Sequence, residues 1–135
     1  MKKLLFIFLF ATFALHANEE TLVKFKGRHS LASYHECELP ALYDTQSLRS
    51  AFFSAIKASG AHAISYTEHY FDDGAYTILV LLEESHATLH SHPECKACFV
   101  DLFTEGNTCD AKPFHHALID YLRPALSNLN SIERG

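Results

Sequence analysis

The pattern of apolar and polar residues predicts β-strands along four short stretches of this chain. The predicted strands are, in chain order, residues 24–34, 61–71, 75–82 and 97–103. In the first, Lys24, Lys26 and Arg28 alternate with apolar neighbours, as expected for a strand with one exposed face. The third is apolar on both faces and is therefore expected at the centre of a sheet. An Asp-Asp-Gly sequence at 72–74 is typical of a hairpin turn between the second and third strands.

Two other stretches carry apolar residues at helical spacing. The first helix is predicted to begin at a cap formed by Asp44 or Thr45 and to end at Gly60, and the second to begin after Asp110 and to bend or end at Pro124. Their apolar faces would be formed by Leu48, Phe52 and Ile56, and by Phe114, Leu118 and Leu122. The order of elements predicts an α+β fold, a two-layer sandwich in which a four-stranded, mainly antiparallel sheet carries two helices on one face.

The amino-terminal residues have the composition of a secretory signal peptide. Two lysines precede an apolar run at 4–15, and a small residue, Ala17, ends the segment. The run is shorter than the roughly 20 apolar residues that a membrane-spanning helix needs. We therefore expect residues 1–17 to be removed on export to the periplasm or the exterior, which leaves one domain at 18–135. An uncleaved anchor and a buried helix are the alternatives, and without a functional leader the protein would stay in the cytoplasm.

The charge of the chain narrows the set of expected partners. Removal of the leader would leave nine basic against 16 acidic residues, a net charge of −7 with histidine neutral. Nucleic acids and anionic membrane surfaces bind basic patches, so neither is expected as a partner, and no stable membrane insertion is expected after leader removal. The remaining 118 residues are enough to bury a core. An exposed sheet face would favour a homodimer.

Four cysteines, Cys37, Cys95, Cys98 and Cys109, leave the thiol chemistry of the chain open. In an exported protein an even number favours disulfides, but their pairing does not follow from the sequence. Cys95 and Cys98 form a C-x-x-C motif of the kind found in redox and metal sites, although it lacks the strand-to-helix context of a thioredoxin-type motif. Free, buried thiols are the third possibility.

The segment 83–94, EESHATLHSHPE, concentrates serine, histidine and carboxylate side chains after the third predicted strand. A serine hydroxyl can attack the carbonyl carbon of the preceding residue and convert the peptide bond into an ester. This chemistry needs a polarised carbonyl, a distorted peptide bond and a base near the serine α-carbon. His86 and His90 are both candidates for the base. On an ideal strand Ser85 and His90 face opposite ways, so the scheme requires a bend or strained backbone at the serine.

Metal binding is a second interpretation of this segment. His86, His90 and His92 have the same parity and would line one strand face, with Cys95 and Cys98 just beyond them. Nitrogen and sulfur ligands of this kind suit zinc or copper. However, the two cysteines differ in parity, and no second ligand pair stands at a recognised spacing elsewhere. A Ser-His-Asp hydrolase is less favoured still, because the chain has no G-x-S-x-G elbow.

The same segment resembles the self-cleavage site of the bacterial S-adenosylmethionine decarboxylases, and the resemblance covers about residues 26–105. The matching residues are Gly27-Arg28-His29, Tyr34-His35-Glu36-Cys37, Ser59-Gly60-Ala61, His69-Tyr70-Phe71, Glu84-Ser85-His86 with Thr88, His90, Pro93 and Glu94, and Asp101-Leu102-Phe103-Thr104. The closing Glu133-Arg134-Gly135 is also similar. The central motif is specific, and the flanking motifs occur in the family's order with almost no gaps.

The resemblance implies a proenzyme that cuts itself before Ser85 and converts this serine into a pyruvoyl cofactor. The products would be chains 18–84 and 85–135, with Glu84 as the new carboxyl terminus. His90 would be the processing base, and Thr77 would replace a serine that assists cleavage in the family.

The resemblance also implies how the small-molecule substrate would be bound. Phe71 matches an aromatic residue that stacks on adenine, and Glu94 matches the carboxylate that binds the ribose hydroxyls. The pyruvoyl ketone would form a Schiff base with the substrate amine and act as an electron sink during decarboxylation, in a pathway that feeds polyamine synthesis. The family fold is a two-layer α+β sandwich, usually dimeric, so a homodimer of processed chains is expected.

Two departures from the family pattern bear on the substrate. Glu105 replaces the catalytic cysteine that reprotonates the product carbon, and His92 replaces a tryptophan. A buried carboxylic acid can donate this proton, so Glu105 is the expected donor, with Cys109 as the alternative if its loop folds back. Pyruvoyl enzymes that act on arginine and histidine resemble this chain in using a glutamate as the proton donor, so arginine or ornithine is an alternative substrate. A non-catalytic exported relative that binds a ligand or metal through His86 and its neighbouring histidines, His90 and His92, is the third hypothesis.

Overall fold

The structure, a computed structural model, describes residues 26–135. The predicted signal peptide at 1–17 lies outside the described residues, as does the beginning of the first predicted strand. Within residues 26–135, no helix has both the length and the apolar composition needed to cross a membrane.

Six antiparallel strands form one sheet, and α-helices cover one of its faces. The strands are β1 (Gly27–His35), β2 (Ala63–Tyr70), β3 (Tyr76–Leu82), β4 (Ser85–His92), β5 (Ala97–Glu105) and β6 (Leu126–Arg134), in the spatial order β2-β3-β4-β5-β1-β6. The helices are α1 (Leu39–Tyr43), α2 (Thr45–Ala58) and α3 (Ala111–Leu122), and a 3-10 turn at Pro93–Cys95 follows β4. The predicted α+β class and the antiparallel sheet are therefore confirmed.

The prediction of four strands and two helices is wrong in number, since the described residues form six strands and three α-helices. β4 coincides with the serine–histidine segment. Its apolar residues Ala87 and Leu89 alternate with histidines and a threonine rather than with charged residues, and this pattern is a weak signal for a strand. β6 follows Pro124 and is exposed at all but one position, so it has almost no apolar period. The helix α1 has only five residues, too few to produce a helical repeat.

The core lies between the helices and the inner face of the sheet. Alternate residues of β3, Tyr76, Ile78, Val80 and Leu82, are buried there against α2 and α3. The predicted apolar faces of the two longer helices are buried as well, at Leu48, Phe52, Ile56, Phe114, Leu118 and Leu122. The predicted caps are also present, because the Asp44 carboxylate accepts the Ser47 backbone N–H and the Asp110 carboxylate accepts that of Lys112. Together these contacts fix the helices on one side of the sheet.

The other face of the sheet, here called the open face, is not covered by any element within residues 26–135. Because side chains alternate along a strand, it presents the residues between the buried ones. They include His29, Leu31, His35, Thr77, Leu79, Leu81, His86, Thr88, His90, His92, Phe99, Asp101 and Phe103. The predicted common face of His86, His90 and His92 is therefore part of this open surface.

Candidate active site

Ser85 begins β4 and has a strained backbone. Its φ is +148°, a value that residues with a side chain rarely adopt. Such a conformation costs on the order of 1–3 kcal/mol and persists only where neighbouring contacts hold it. The distortion that the self-cleavage scheme requires at this serine is thus present.

The carbonyl group before Ser85 is polarised by a neighbouring strand. The oxygen of Glu84 accepts the backbone N–H of Glu105 at 2.9 Å, because the end of β5 lies beside the start of β4. A backbone N–H in this position withdraws electrons from the carbonyl and can stabilise the negative charge that forms on attack. The contact therefore prepares the Glu84 carbonyl carbon for a nucleophile.

The side chain of Glu84 is held by His62, the residue that precedes β2. The backbone N–H of His62 donates to Oε2 at 2.9 Å, and Nδ1 of the His62 ring lies 2.7 Å from Oε1. Burial disfavours the charged carboxylate, but the hydrogen bonds from His62 outweigh this effect, and the pKa of Glu84 lies below its usual range. Sequence reasoning missed this contact, because nothing in the pattern indicates that residues 22 positions apart meet.

Aromatic rings surround the hydroxyl side of Ser85. Its Oγ lies 3.2 Å from Nδ1 of His86, and the His86 ring lies 5.6 Å from Phe103 and 6.3 Å from His29. The guanidinium of Arg134 lies 4.5 Å from the centre of the Phe103 ring. These side chains, with Glu105, form the serine end of the open face. His29 and Arg134 had no predicted role, since only the pairing of β1 with β5 and β6 brings them here.

The other predicted site residues lie at the opposite end of the open face. The Thr77 hydroxyl is 2.9 Å from Nδ1 of His90, so the structure brings these two together. Phe71 lies in the turn after β2, half exposed, and Glu94 lies in the 3-10 turn after β4, with Oε1 3.2 Å from Nδ1 of His92. We call these five residues the histidine end. His90 is five residues from Ser85 on a continuous strand, a separation of roughly 16 Å.

Both candidate proton donors lie near the cleavage point. The Glu105 side chain lies at the end of β5, next to the Glu84 carbonyl that its own backbone contacts. It is exposed, so the burial that the sequence predicts for this acid is absent within one chain. Cys109 is half-buried in the loop before α3. Burial raises the pKa of its thiol, the hydrogen bond with Thr108 lowers it in part, and the negative charge of Glu84 adds a smaller increase. A thiol with a raised pKa keeps its proton at neutral pH.

The alternative metal cluster is not assembled. Cys98 is buried in the core beside Cys37, on the face opposite to the three histidines, whereas Cys95 is exposed, and all four cysteines are free thiols. Burial raises the pKa of both buried thiols, that of Cys37 to about 11. Among residues 26–135, one group of possible metal ligands has its atoms within 4.8 Å, namely His62, Glu83 and Glu84.

The model of one protein family, S-adenosylmethionine decarboxylase, matches residues 28–135. The chain belongs to this family. The predicted resemblance is confirmed and extends through β6 to the last residue. Members of the family are pyruvoyl-dependent carboxy-lyases, and self-cleavage of a proenzyme makes their pyruvoyl group.

Relatives of this chain share most of its length. The S-adenosylmethionine decarboxylase proenzyme of Synechococcus sp. (strain WH7803) is 31% identical over 119 residues, which cover 80% of this chain and 93% of the relative. The proenzyme of Thermotoga petrophila is 35% identical over 95 residues, which cover 70% and 73%. The crystal structure of the adenosylmethionine decarboxylase from Aquifex aeolicus VF5 superposes with a TM-score of 0.74 at 27% identity, over 82% of this chain and 92% of that one. The family fold is thus retained over the whole described domain.

Proposed function

We propose that this chain is a self-processing, pyruvoyl-dependent S-adenosylmethionine decarboxylase whose product enters polyamine synthesis. One observation carries the proposal. In a chain of this family, the bond before Ser85 combines a serine at φ +148° with a preceding carbonyl that accepts the Glu105 N–H at 2.9 Å. The residues present therefore fit the formation of a pyruvoyl group at position 85.

The proposed cleavage proceeds in two stages. The Ser85 hydroxyl loses its proton, with His86 at 3.2 Å as acceptor, and Oγ attacks the Glu84 carbonyl carbon. The C–N bond breaks, the nitrogen takes up the proton, and an ester joins the two residues. A base then removes the Ser85 α-proton, the Cβ–Oγ bond breaks, and the electron pair leaves with the new Glu84 carboxylate. Water hydrolyses the remaining dehydroalanine, through its imine, to the ketone and ammonia.

In the proposed decarboxylase, the pyruvoyl group at position 85 supplies an electron sink for the departing carboxylate. Side chains of the protein bind and protonate the substrate. Phe71 offers an exposed ring to the adenine, and Glu94 offers a carboxylate to the ribose hydroxyls. Both lie at the histidine end, so in the dimer described below they would serve the serine end of the partner. Glu105, at the serine end of the open face, donates the proton to the product carbon.

Two observations support a homodimer of processed chains as the active form. Leu31, Leu79 and Leu81 on the open face are 36%, 45% and 51% exposed, although they lie on strands with a neighbour on each side. Ser85 and His90 are roughly 16 Å apart along β4, so His90 does not reach the serine of its own chain. A two-fold axis near the middle of β4 would place each histidine end against the serine end of the partner. His90 and Thr77 would then act on the partner's Ser85.

The intact mass of the purified full chain tests the proposal. We expect two fragments, the second beginning with a pyruvoyl group at position 85 and ending at Gly135. The Ser85→Ala variant should remain one uncut chain. Release of carbon dioxide from carboxyl-labelled S-adenosylmethionine, arginine and ornithine then identifies the substrate. A single uncut wild-type chain, or cleavage that persists in Ser85→Ala, would contradict the proposal.

A further inference from the structure

Three contacts hold Glu84, the residue that precedes the cleavage point. Its two carboxylate oxygens lie 2.9 Å from the backbone nitrogen of His62 and 2.7 Å from Nδ1 of the His62 ring, respectively. Its carbonyl oxygen accepts the backbone N–H of Glu105 at 2.9 Å. In addition, the N–H of Glu83 donates to the carbonyl of His62 at 2.9 Å. The β3–β4 turn is therefore fastened on one side to the residue before β2 and on the other to the end of β5.

These contacts lie on either side of the strained bond. The side chain of Glu84 is fixed through His62 and its carbonyl through Glu105, and the next residue is Ser85 at φ +148°. Rotation of this peptide toward a relaxed conformation would break one of the two attachments. The strain at Ser85 is thus maintained by His62 as well as by the sheet.

We propose that His62 is a positioning residue for self-cleavage, whose ring and backbone N–H hold Glu84 so that the strained carbonyl stays in place for Ser85. This inference rests on the proposed self-cleavage of the chain. His62 touches neither the serine nor the scissile carbonyl, so it acts through the Glu84 side chain. No motif in the sequence assigns this role to position 62.

The charges around His62 give its role a dependence on pH. The hydrogen bond to Glu84 and the charges of Glu84 and Glu83 raise the pKa of the ring. Lys57, in the last turn of α2, lines the hollow beside His62, and the Cys109 thiol lies near the Glu84 carboxylate. A raised pKa means that the ion pair is complete below the usual value of about 6.5 and is lost as the pH rises through the raised value.

The cleavage rate should therefore have a falling limb at high pH, as His62 loses its proton and releases Glu84. A glutamine at position 62 keeps a donor for the carboxylate but does not titrate, so it separates the loss of the contact from the loss of the proton.

The test follows the cleavage rate of freshly translated full chains, pulse-labelled and then transferred to buffers between pH 5.5 and 9 (about the span in which histidines titrate). We expect His62→Ala to cleave about ten- to a hundredfold more slowly at neutral pH, a change of about 1.4 kcal/mol per tenfold. His62→Gln should recover most of the rate and lose the falling limb at high pH. His116→Ala, which removes an exposed histidine on α3, is the matched control and should keep the wild-type profile.

Each outcome decides the question. The inference is overturned if His62→Ala cleaves at the wild-type rate across the range, or if His62→Gln keeps the falling limb. Circular dichroism of the uncleavable Ser85→Ala chain, with and without His62→Ala, shows whether the alanine substitution unfolds the domain. If it does, the pH profile of His62→Gln decides the question. Failure of the wild-type chain to cleave would instead overturn the proposed function.

Discussion

Glu105 combines two functions that belong to different parts of the residue. Its backbone N–H contacts the Glu84 carbonyl at 2.9 Å, whereas its side chain is exposed where substrate would bind. The substitution Glu105→Gln keeps the backbone contact and removes the carboxylic acid. We therefore expect normal self-cleavage by intact mass but a fall in kcat of about a hundredfold, the usual contribution of a positioned general acid. Measurement of carbon dioxide release from labelled substrate checks the fall.

The matched variant for this position is Glu105→Cys, which restores the family's own proton donor. It should retain much of the turnover that the glutamine variant loses. Unchanged turnover in Glu105→Gln would remove Glu105 as the donor. The thiol of Cys109 would then be the next candidate, since its raised pKa keeps it protonated, and Cys109→Ser would test it.

The parts of the site that are local in sequence could be predicted, and those that depend on strand pairing could not. Glu84, Ser85 and His86 are neighbours, so their chemistry follows from the segment itself. The contact of His62 with Glu84 depends on how β2 meets the β3–β4 turn. The position of Arg134 over Phe103 depends on β6, a strand with almost no apolar period. Pairing between distant segments leaves no local pattern for a single sequence to reveal.

At the level of elements, β2 is the edge strand that His62 precedes and Phe71 follows. Most of its side chains are exposed, and a polar network joins it to its neighbours. Arg49 of α2 donates to Oε1 of Glu68 at 2.7 Å, and the Tyr76 hydroxyl of β3 donates to Oε2 at 2.6 Å. The bond from Tyr76 holds the pKa of Glu68 below its usual range, with Arg49 assisting and burial opposing. This network should therefore fix the strand that supports both ends of the site.

The lowered pKa of Glu68 predicts how stability depends on pH. A group whose pKa is lower in the folded chain stabilises the fold above its unfolded value of about 4.3 and loses this effect as the pH falls through the folded value. Glu68→Gln should therefore lower the free energy of unfolding by about 1–3 kcal/mol at neutral pH. The difference from the parent should shrink below about pH 4. Urea unfolding of the uncleavable Ser85→Ala chain at several pH values measures it.

Glu38→Gln is the control for this experiment. Glu38 pairs with Arg123 at 3.6 Å, but both side chains are more than half exposed. Exposed ion pairs of this kind contribute about 0–1 kcal/mol. A loss of stability in Glu38→Gln as large as in Glu68→Gln would show that the β2 network has no special role.

At the scale of the whole molecule, the exposed apolar residues of the open face and the distance between Ser85 and His90 along β4 lead to one expectation. If His90 acts on the partner's Ser85, two different inactive chains should complement each other. Ser85→Ala carries a working His90 but cannot form the pyruvoyl group, and His90→Ala carries the serine but lacks the base that removes the serine α-proton. In a one-to-one mixture about half of the dimers are mixed. About a quarter of all chains, every one of them His90→Ala, should then yield the pyruvoyl fragment by mass spectrometry.

The same experiment distinguishes action across the dimer from action within one chain. If His90 served its own Ser85, the His90→Ala chain would stay without a pyruvoyl group in every mixture. Leu79→Glu supplies the control, because it places a charge at the middle of the open face, where Leu79 is 45% exposed. Introduced into the Ser85→Ala chain, it should give monomers by sedimentation and abolish the complementation. If complementation persisted with the Leu79→Glu variant, another surface would bring the two chains together. The open face would then not be the dimer interface.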